Sequence, residues 1–375
     1  MAPKTGIGLL ISTYAFFPNL TWPKRLKVLI VSTPWYPIPP VAYGGIEAFC
    51  WMLARGLADL GCEVTVLAPG AVHQMDPHIR MVQSLAQPAT QYMSSVAPEI
   101  EHLAALVSLL EHDSFDIISD HSLFGTQVAV AKGLPTVGTA HRIMVGEFLG
   151  VYERISRQVP LVAISSRQAT IAPSVEIHGV IHHCIDTQYY RPVDRPKRDF
   201  LLFLGSMNHH KGVHIAIDVA IALKQNLVIA AKCHQADEIA YFKSQAEPRL
   251  KDSIQFMGEI GGNKKLSLLQ NASALIFPAL WEESFGLVTI EALSCDTPVI
   301  AFDTGAAQEI IEDSKTGFIV SNVHQMIDAI RNLDAISVGA CRASAVSKFD
   351  YRQMSLKYLE VFNEQRNVTD RRKIS

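Results

Sequence analysis

Three carboxylates, Glu282, Glu283 and Glu291, surround a Ser-Phe-Gly turn in the stretch WEESFGLVTIEAL, Trp281 to Leu293. The run SALIFPAL before it reads as a buried strand, WEESFG as a loop and LVTIEALS as a helix. The N–H groups of Ser284, Phe285, Gly286 and Leu287 therefore sit at a helix start, unpaired and at the positive end of the dipole, which suits an anion. From Gly286 to Glu291 the helix rises about 7.5 Å, close to the span from a diphosphate to the ribose of one nucleotide. Carboxylates repel phosphate but accept hydrogen bonds from vicinal hydroxyls. A ligand with both kinds of group would use both kinds of residue. Spacing alone is equally met by surface glutamates that cap a helix.

Two further loops carry groups of the same kind. YGGIE, Tyr43 to Glu47, lies between a first strand and its helix, where Gly44 and Gly45 let backbone approach a ligand closely. It lacks the full dinucleotide fingerprint and also reads as a tight turn. GSMNHHKG, Gly205 to Gly212, holds the matching place in the second half and offers Lys211 to a phosphate.

The elements that position these loops alternate. KVLIVS, EVTVLA, FDIIS, TVGTAH and LVAIS are short apolar strands between helical periods, the pattern of a parallel sheet covered on both faces. RPVDRPKRD reads as a linker, after which DFLLFLGS, NLVIAA, SIQFMG, SALIFP, PVIAF and GFIV restart the program. We therefore expect α/β architecture with two Rossmann-like, doubly wound parallel-sheet domains. An N-terminal extension spans 1–25, the first domain 26–192 and the second 193–348. At 349–375 an amphipathic helix, which either caps its own domain or crosses back to the first, ends in a polar tail. Ligands bind such sheets at the carboxyl ends of strands, after Ser32, Leu204, Phe277 and Phe302.

The chain has 375 residues, 49% of them hydrophobic, and a formal net charge of −3, which offers no field for nucleic acid. No apolar run approaches the roughly 20 residues of a membrane span. The 6 scattered cysteines read as reduced thiols rather than a disulfide frame, and a cytoplasmic location is expected. In IHHCID at most two of His182, His183 and Cys184 can share a face, so no metal site is expected there.

Taken together, GGIE, the later K-G, and ESFGLVTIEAL resemble the retaining glycosyltransferases of family 4, from about Leu26 to Phe362. The segment from Pro278 to Val320 is similar to that family's E-x7-E block and the residues after it. The resemblance implies the GT-B fold, two domains facing a central cleft, with the acceptor on the first domain and a nucleotide-diphospho-sugar donor, commonly a UDP-sugar, on the second. It implies Glu291 on the ribose and Glu283 on the donor sugar. The diphosphate would lie on Ser284 to Leu287 with Lys211 and the Ser206 position, approached by Gly44 and Gly45. His121 resembles a catalytic histidine facing the donor sugar. His141 matches a position nearer the acceptor, a core histidine being the alternative. The implied reaction is hexosyl transfer with retention. No D-x-D occurs, so neither a metal nor another cofactor is expected.

Some positions depart from the family. Ser206 stands where an arginine is usual, so a charge-assisted contact worth about 1.5–3 kcal/mol is missing. His209, His210 and Arg342 are candidate substitutes. Asp296 replaces a turn glycine, which Asp tolerates at positive φ, and His183 replaces an asparagine. These changes motivate an alternative, a weakened sugar-nucleotide-binding protein that regulates an active partner. The acceptor and oligomeric state are not legible. The apolar stretch IMVGEFLGVY suits a lipid-linked acceptor or peripheral contact at an inner membrane face, though burial against the first sheet explains it more simply. Glu282 reads as a solvated neighbour.

Overall fold

The computed structural model describes residues 25–70, 76–93, 95–122, 124–194 and 199–374. The expected N-terminal extension, Arg25 apart, lies outside them. Two parallel sheets organise the rest. In the first, β1 (Lys27–Val31), β2 (Glu63–Ala68), β3 (Ile79–Gln83), β4 (Ile117–Asp120), β5 (Thr136–Ala140), β6 (Leu161–Ala163) and β7 (Gly179–Val180) take the order β3-β2-β1-β4-β5-β6-β7. In the second, β8 (Leu201–Ser206), β9 (Leu227–Lys232), β10 (Ile254–Phe256), β11 (Ala274–Phe277), β12 (Val299–Phe302) and β13 (Gly317–Val320) take the order β10-β9-β8-β11-β12-β13.

The continuous apolar runs make these strands because both faces are covered. Val28 to Val31 and Ala274 to Ile276 are wholly buried, with helices packed above and below. In each sheet the strand order reverses at one place, between β1 and β4 and between β8 and β11. There the connections leave in opposite directions and a crevice opens at the carboxyl ends. The YGGIE loop and His121 end β1 and β4; the Lys211 and Glu283 loops end β8 and β11. The two crossovers thus explain why distant segments form one site.

The last helix, Tyr351–Ile374, packs along the Gly45–Asp59 helix of the first unit. A Cβ at Gly56 would lie 2.0 Å from Ser355 Oγ, so a glycine is needed for that approach. Tyr358 and Phe362 enter the first unit's core. Asp296 adopts φ 57° and spends its carboxylate on the N–H groups of Gly339 and Arg342, a local role that a glycine cannot fill. All six cysteines are free thiols. No helix among the described residues is long and apolar enough to cross a membrane.

Candidate active site

The helix expected after WEESFG runs from Leu287 to Ser294, with Gly286 as its N-cap at φ 93°. Glu283 is fixed through its backbone: its N–H donates to the Trp281 carbonyl at 2.8 Å, and its carbonyl accepts from Ala306 N–H at 3.2 Å. A Cβ at Gly305 would meet the Glu283 carbonyl oxygen at 2.1 Å, so only glycine lets that turn close.

Lys211 arrives by a similar device. Asn208 caps the turn His209–Lys211, accepting from Lys211 N–H at 3.0 Å, and Gly212 comes next at φ 73°. Its bare Cα passes the Pro278 carbonyl, where a Cβ would come within 2.1 Å. The loop after β8 is thereby pressed against the loop after β11, and Lys211 Nζ pairs with Glu283 Oε2. Trp281 Nε1 donates to the same oxygen at 2.9 Å. Ser206 is buried, its Oγ accepting from Asn208 Nδ2 at 2.8 Å.

Glu291 is also buried, and a residue missed in the sequence holds it. Lys265, in the first turn of the Gly262–Asn271 helix, donates to Glu291 Oε1 at 2.6 Å. Tyr190 lies beside the carboxylate, and burial together with that charge pushes its phenol well above the ordinary range. The helix start is therefore bracketed by two carboxylates, each neutralised by a lysine.

The first unit approaches from the other side. A Cβ at Gly45 would touch Leu287 Cδ1 at 3.1 Å, which places the YGGIE loop over the helix start. Gly44 takes φ 139° and caps the Gly45–Asp59 helix. Tyr43 N–H donates to Glu259 Oε1 across the cleft at 3.1 Å. Glu47 is buried and accepts from Thr33 Oγ1; burial pushes its carboxyl up to about 7.

His121 and His141 are brought together, along with His183. Ser119 Oγ meets His121 Nε2 at 2.9 Å, His121 Nδ1 meets His141 Nε2 at 2.9 Å, and His141 Nδ1 meets His183 Nε2 at 3.0 Å. Phe49 packs on all three rings at 4.9–5.2 Å, and Phe285 covers His183 at 5.4 Å. Burial, reinforced by the neighbouring rings, lowers His121 and His183 to about 3 and His141 well below its usual value. The row is neutral at physiological pH, and both ring nitrogens of His121 are engaged within it.

Two sequence readings change. Glu282 is not a solvated neighbour: Arg167 forks onto it from the first unit, and Gly305 N–H donates to it at 3.1 Å. Arg342 is no stand-in at Ser206, because its guanidinium is spent on the carbonyls of Thr187, Tyr190 and Ser294. In the extended segment after β7, His182 meets Glu309 and His183 meets His141, in keeping with the reading that these two neighbours do not share a face. No group of His, Cys, Asp and Glu side chains able to hold a metal occurs among the described residues.

Two parallel-sheet units with their crossovers turned to a common cleft define the GT-B fold. Sucrose-phosphate synthase from Thermosynechococcus elongatus shares it, with a TM-score of 0.79 at 17% identity over 91% of this chain and 99% of that one. So does Anabaena HepE in complex with UDP and glucose, with a TM-score of 0.73 at 19% identity over 90% and 100%. In sequence, residues 190–336 match the model of glycosyl transferases group 1, and residues 43–188 that of glycosyltransferase family 4. D-inositol 3-phosphate glycosyltransferase of Pseudarthrobacter chlorophenolicus is 24% identical over 364 residues, 81% of this chain and 86% of that protein. The chain belongs to the group 1, family 4 glycosyltransferases, and it is a glycosyltransferase.

Proposed function

We propose that the protein transfers a hexosyl group from a nucleotide-diphospho-sugar, by preference a UDP-sugar, to an acceptor, with retention at the anomeric carbon and without a metal. The observation that carries this reading is the pair Lys211–Glu283 and Lys265–Glu291 on either side of one helix start. Phosphate oxygens would lie on the N–H groups of Phe285, Gly286 and Leu287 beside Lys211, ribose hydroxyls on Glu291, and sugar hydroxyls on Glu283. A UDP complex of a protein with this fold, HepE, supports the choice of donor.

Departure of the nucleoside diphosphate leaves an oxocarbenium-like sugar and concentrates negative charge on the leaving phosphate. N–H groups and a lysine already aimed there stabilise that state more than the ground state. The neutral histidine row under Phe49 adds no positive charge that would oppose the developing cation. Retention would result if acceptor and leaving group share one face of the sugar.

The test is nucleoside diphosphate release from a panel of UDP-, GDP- and ADP-sugars with candidate acceptors, with and without EDTA. Turnover that survives EDTA and falls in Glu283→Ala supports the reading, and NMR of the product reports the anomer. Nucleotide binding without turnover on any donor, or activity that needs added metal, counts against it.

A further inference from the structure

The two lysines that bracket the donor helix start are already matched by carboxylates: Lys211 by Glu283 and Lys265 by Glu291. A bound diphosphate brings further negative charge, and Ser206 supplies none. The structure holds another cation at this place. Ser206 ends β8, Lys232 ends β9, and the two are register partners in the parallel pair, so their side chains share a face of the pleat. Lys211 reaches the end of β8 from the opposite face, its Cγ lying 3.9 Å from where a Cβ of Gly205 would be. The strand end is thus flanked by lysines on both sides.

The Lys232 side chain is 11% exposed, which is unusual for an ammonium without a purpose at that place. The Tyr43 ring of the first unit covers it at 5.2 Å, and Tyr43 also responds to Glu283, Glu238, Glu47 and Glu259, burial being the larger cause of its phenol's rise to about 12. Lys232 therefore lies within the cleft, between the units and beside the end of β8. Its partner Glu238 accepts from Lys232 through Oε1 at 3.1 Å, and through Oε2 from the N–H groups of His234 and Gln235 at 3.0 and 3.1 Å. Glu238 is satisfied by backbone, and an ammonium has three donors. Lys232 can keep Glu238 and still give protons to a ligand.

We propose that Lys232 is a phosphate-binding residue of the donor site, supplying from the end of β9 the positive charge that Ser206 at the end of β8 lacks. This rests on the nucleotide-donor reading of the cleft. In a cleft this poor in solvent, a charge-assisted bond from Lys232 contributes affinity for the diphosphate and none for the nucleoside.

Calorimetric titration of UDP and of uridine separates the two. The variants are Lys232→Met and, to avoid a buried unpaired carboxylate, Lys232→Met with Glu238→Gln; Lys232→Arg retains the charge. The expected result is a UDP Kd raised about 10- to 100-fold in both Met variants. Uridine Kd stays within about threefold, and Lys232→Arg holds UDP Kd within about fivefold of wild type. An unchanged UDP Kd in the double variant, or uridine weakened as much as UDP, overturns the proposal while leaving the donor reading intact. A wild type that binds none of UDP, GDP and ADP overturns the donor reading itself, and the proposal with it.

Discussion

Arg167 reaches across the cleft and forks onto Glu282, Nε to Oε2 at 2.9 Å and a terminal nitrogen to Oε1 at 2.6 Å. Beside it Glu309 accepts from the N–H groups of Ser166 and Arg167, at 2.7 and 2.9 Å, and from His182 at 2.9 Å. Burial pushes the Glu309 carboxyl up, but His182 and the two N–H groups bring it down to about 2. Both carboxylates belong to the second unit and every donor but Gly305 to the first, so the contacts hold the units together. The Arg167 side chain is half exposed, and such pairs contribute about 0–1 kcal/mol. Arg167→Met is therefore expected to leave Tm nearly unchanged and to lower kcat/KM for the donor about 3- to 5-fold, through the closed population. Steady-state kinetics beside a thermal melt check this; a large fall in Tm with unchanged kinetics would assign the pair to stability alone.

Glu283 carries a heavier expectation. Its backbone is fixed by the 304–306 turn and its carboxylate by Lys211 and Trp281. Glu283→Gln keeps the shape and removes the charge that orients Lys211. We expect transfer to fall about 100-fold or more, on the scale of losing one group aimed at the transition state, while UDP binding changes less than tenfold. If instead kcat holds and only donor KM rises, Glu283 contributes uniform binding.

The glycines around the site separate two kinds of closeness. At Gly212 an added Cβ strikes the rigid Pro278 carbonyl at 2.1 Å, and φ is 73°, so Gly212→Ala forces backbone apart. At Gly45 the obstacle is the end of the flexible Leu287 side chain at 3.1 Å. Gly212→Ala should destabilise by roughly 2–3 kcal/mol. Gly45→Ala should cost under about 1 kcal/mol of stability, yet slow transfer severalfold by spacing the first unit from the helix start. Paired urea titrations and kinetics check the contrast.

The doubly wound pattern was legible because buried parallel strands write themselves as unbroken apolar runs. The positions of the Lys211 and Glu283 loops were legible because loops at strand ends can be located by counting, whereas the roles given to Lys211, Glu283 and Glu291 came from the family resemblance and not from their spacing. The residues that escaped notice depend on which strands become neighbours. Lys265 sits one residue beyond another lysine in a polar helix, and nothing in its surroundings signals Glu291. Arg167 and Glu282 are 115 residues apart and meet only because two crossovers face each other. Lys232 acquires meaning from its register with Ser206, which periodicity does not specify. His183 read as a departure from an asparagine, and its place in a row with His121 and His141 comes from the segment after β7 bringing its ring to those at the ends of the neighbouring strands β4 and β5.

That row gives the fold a pH dependence whose sign is set by burial. His121 and His183 ordinarily protonate near 6.5, but in the folded chain burial holds them to about 3, and His141 is held well below 6.5. The unfolded chain therefore binds protons between about pH 6.5 and pH 3 that the folded chain refuses. The row's contribution to stability is full above pH 6.5 and falls as the pH drops through that window, by at most about 1.4 kcal/mol per pH unit for each histidine. Among the described residues no carboxylate is hydrogen-bonded to the row, whose ends are Ser119 Oγ and His183 Nδ1. Glu47 and Glu99, each pushed up to about 7 by burial, act in the opposite direction, because the folded chain takes up their protons before the unfolded chain does. Replacing His183 with asparagine, which keeps an amide opposite His141, should flatten the slope of unfolding free energy against pH by about one proton between pH 6 and 4. Urea titrations at a series of pH values measure that slope directly. An unchanged slope in His183→Asn would assign the acid sensitivity between pH 6 and 4 to groups outside the row, first among them His102, which burial holds to about 4.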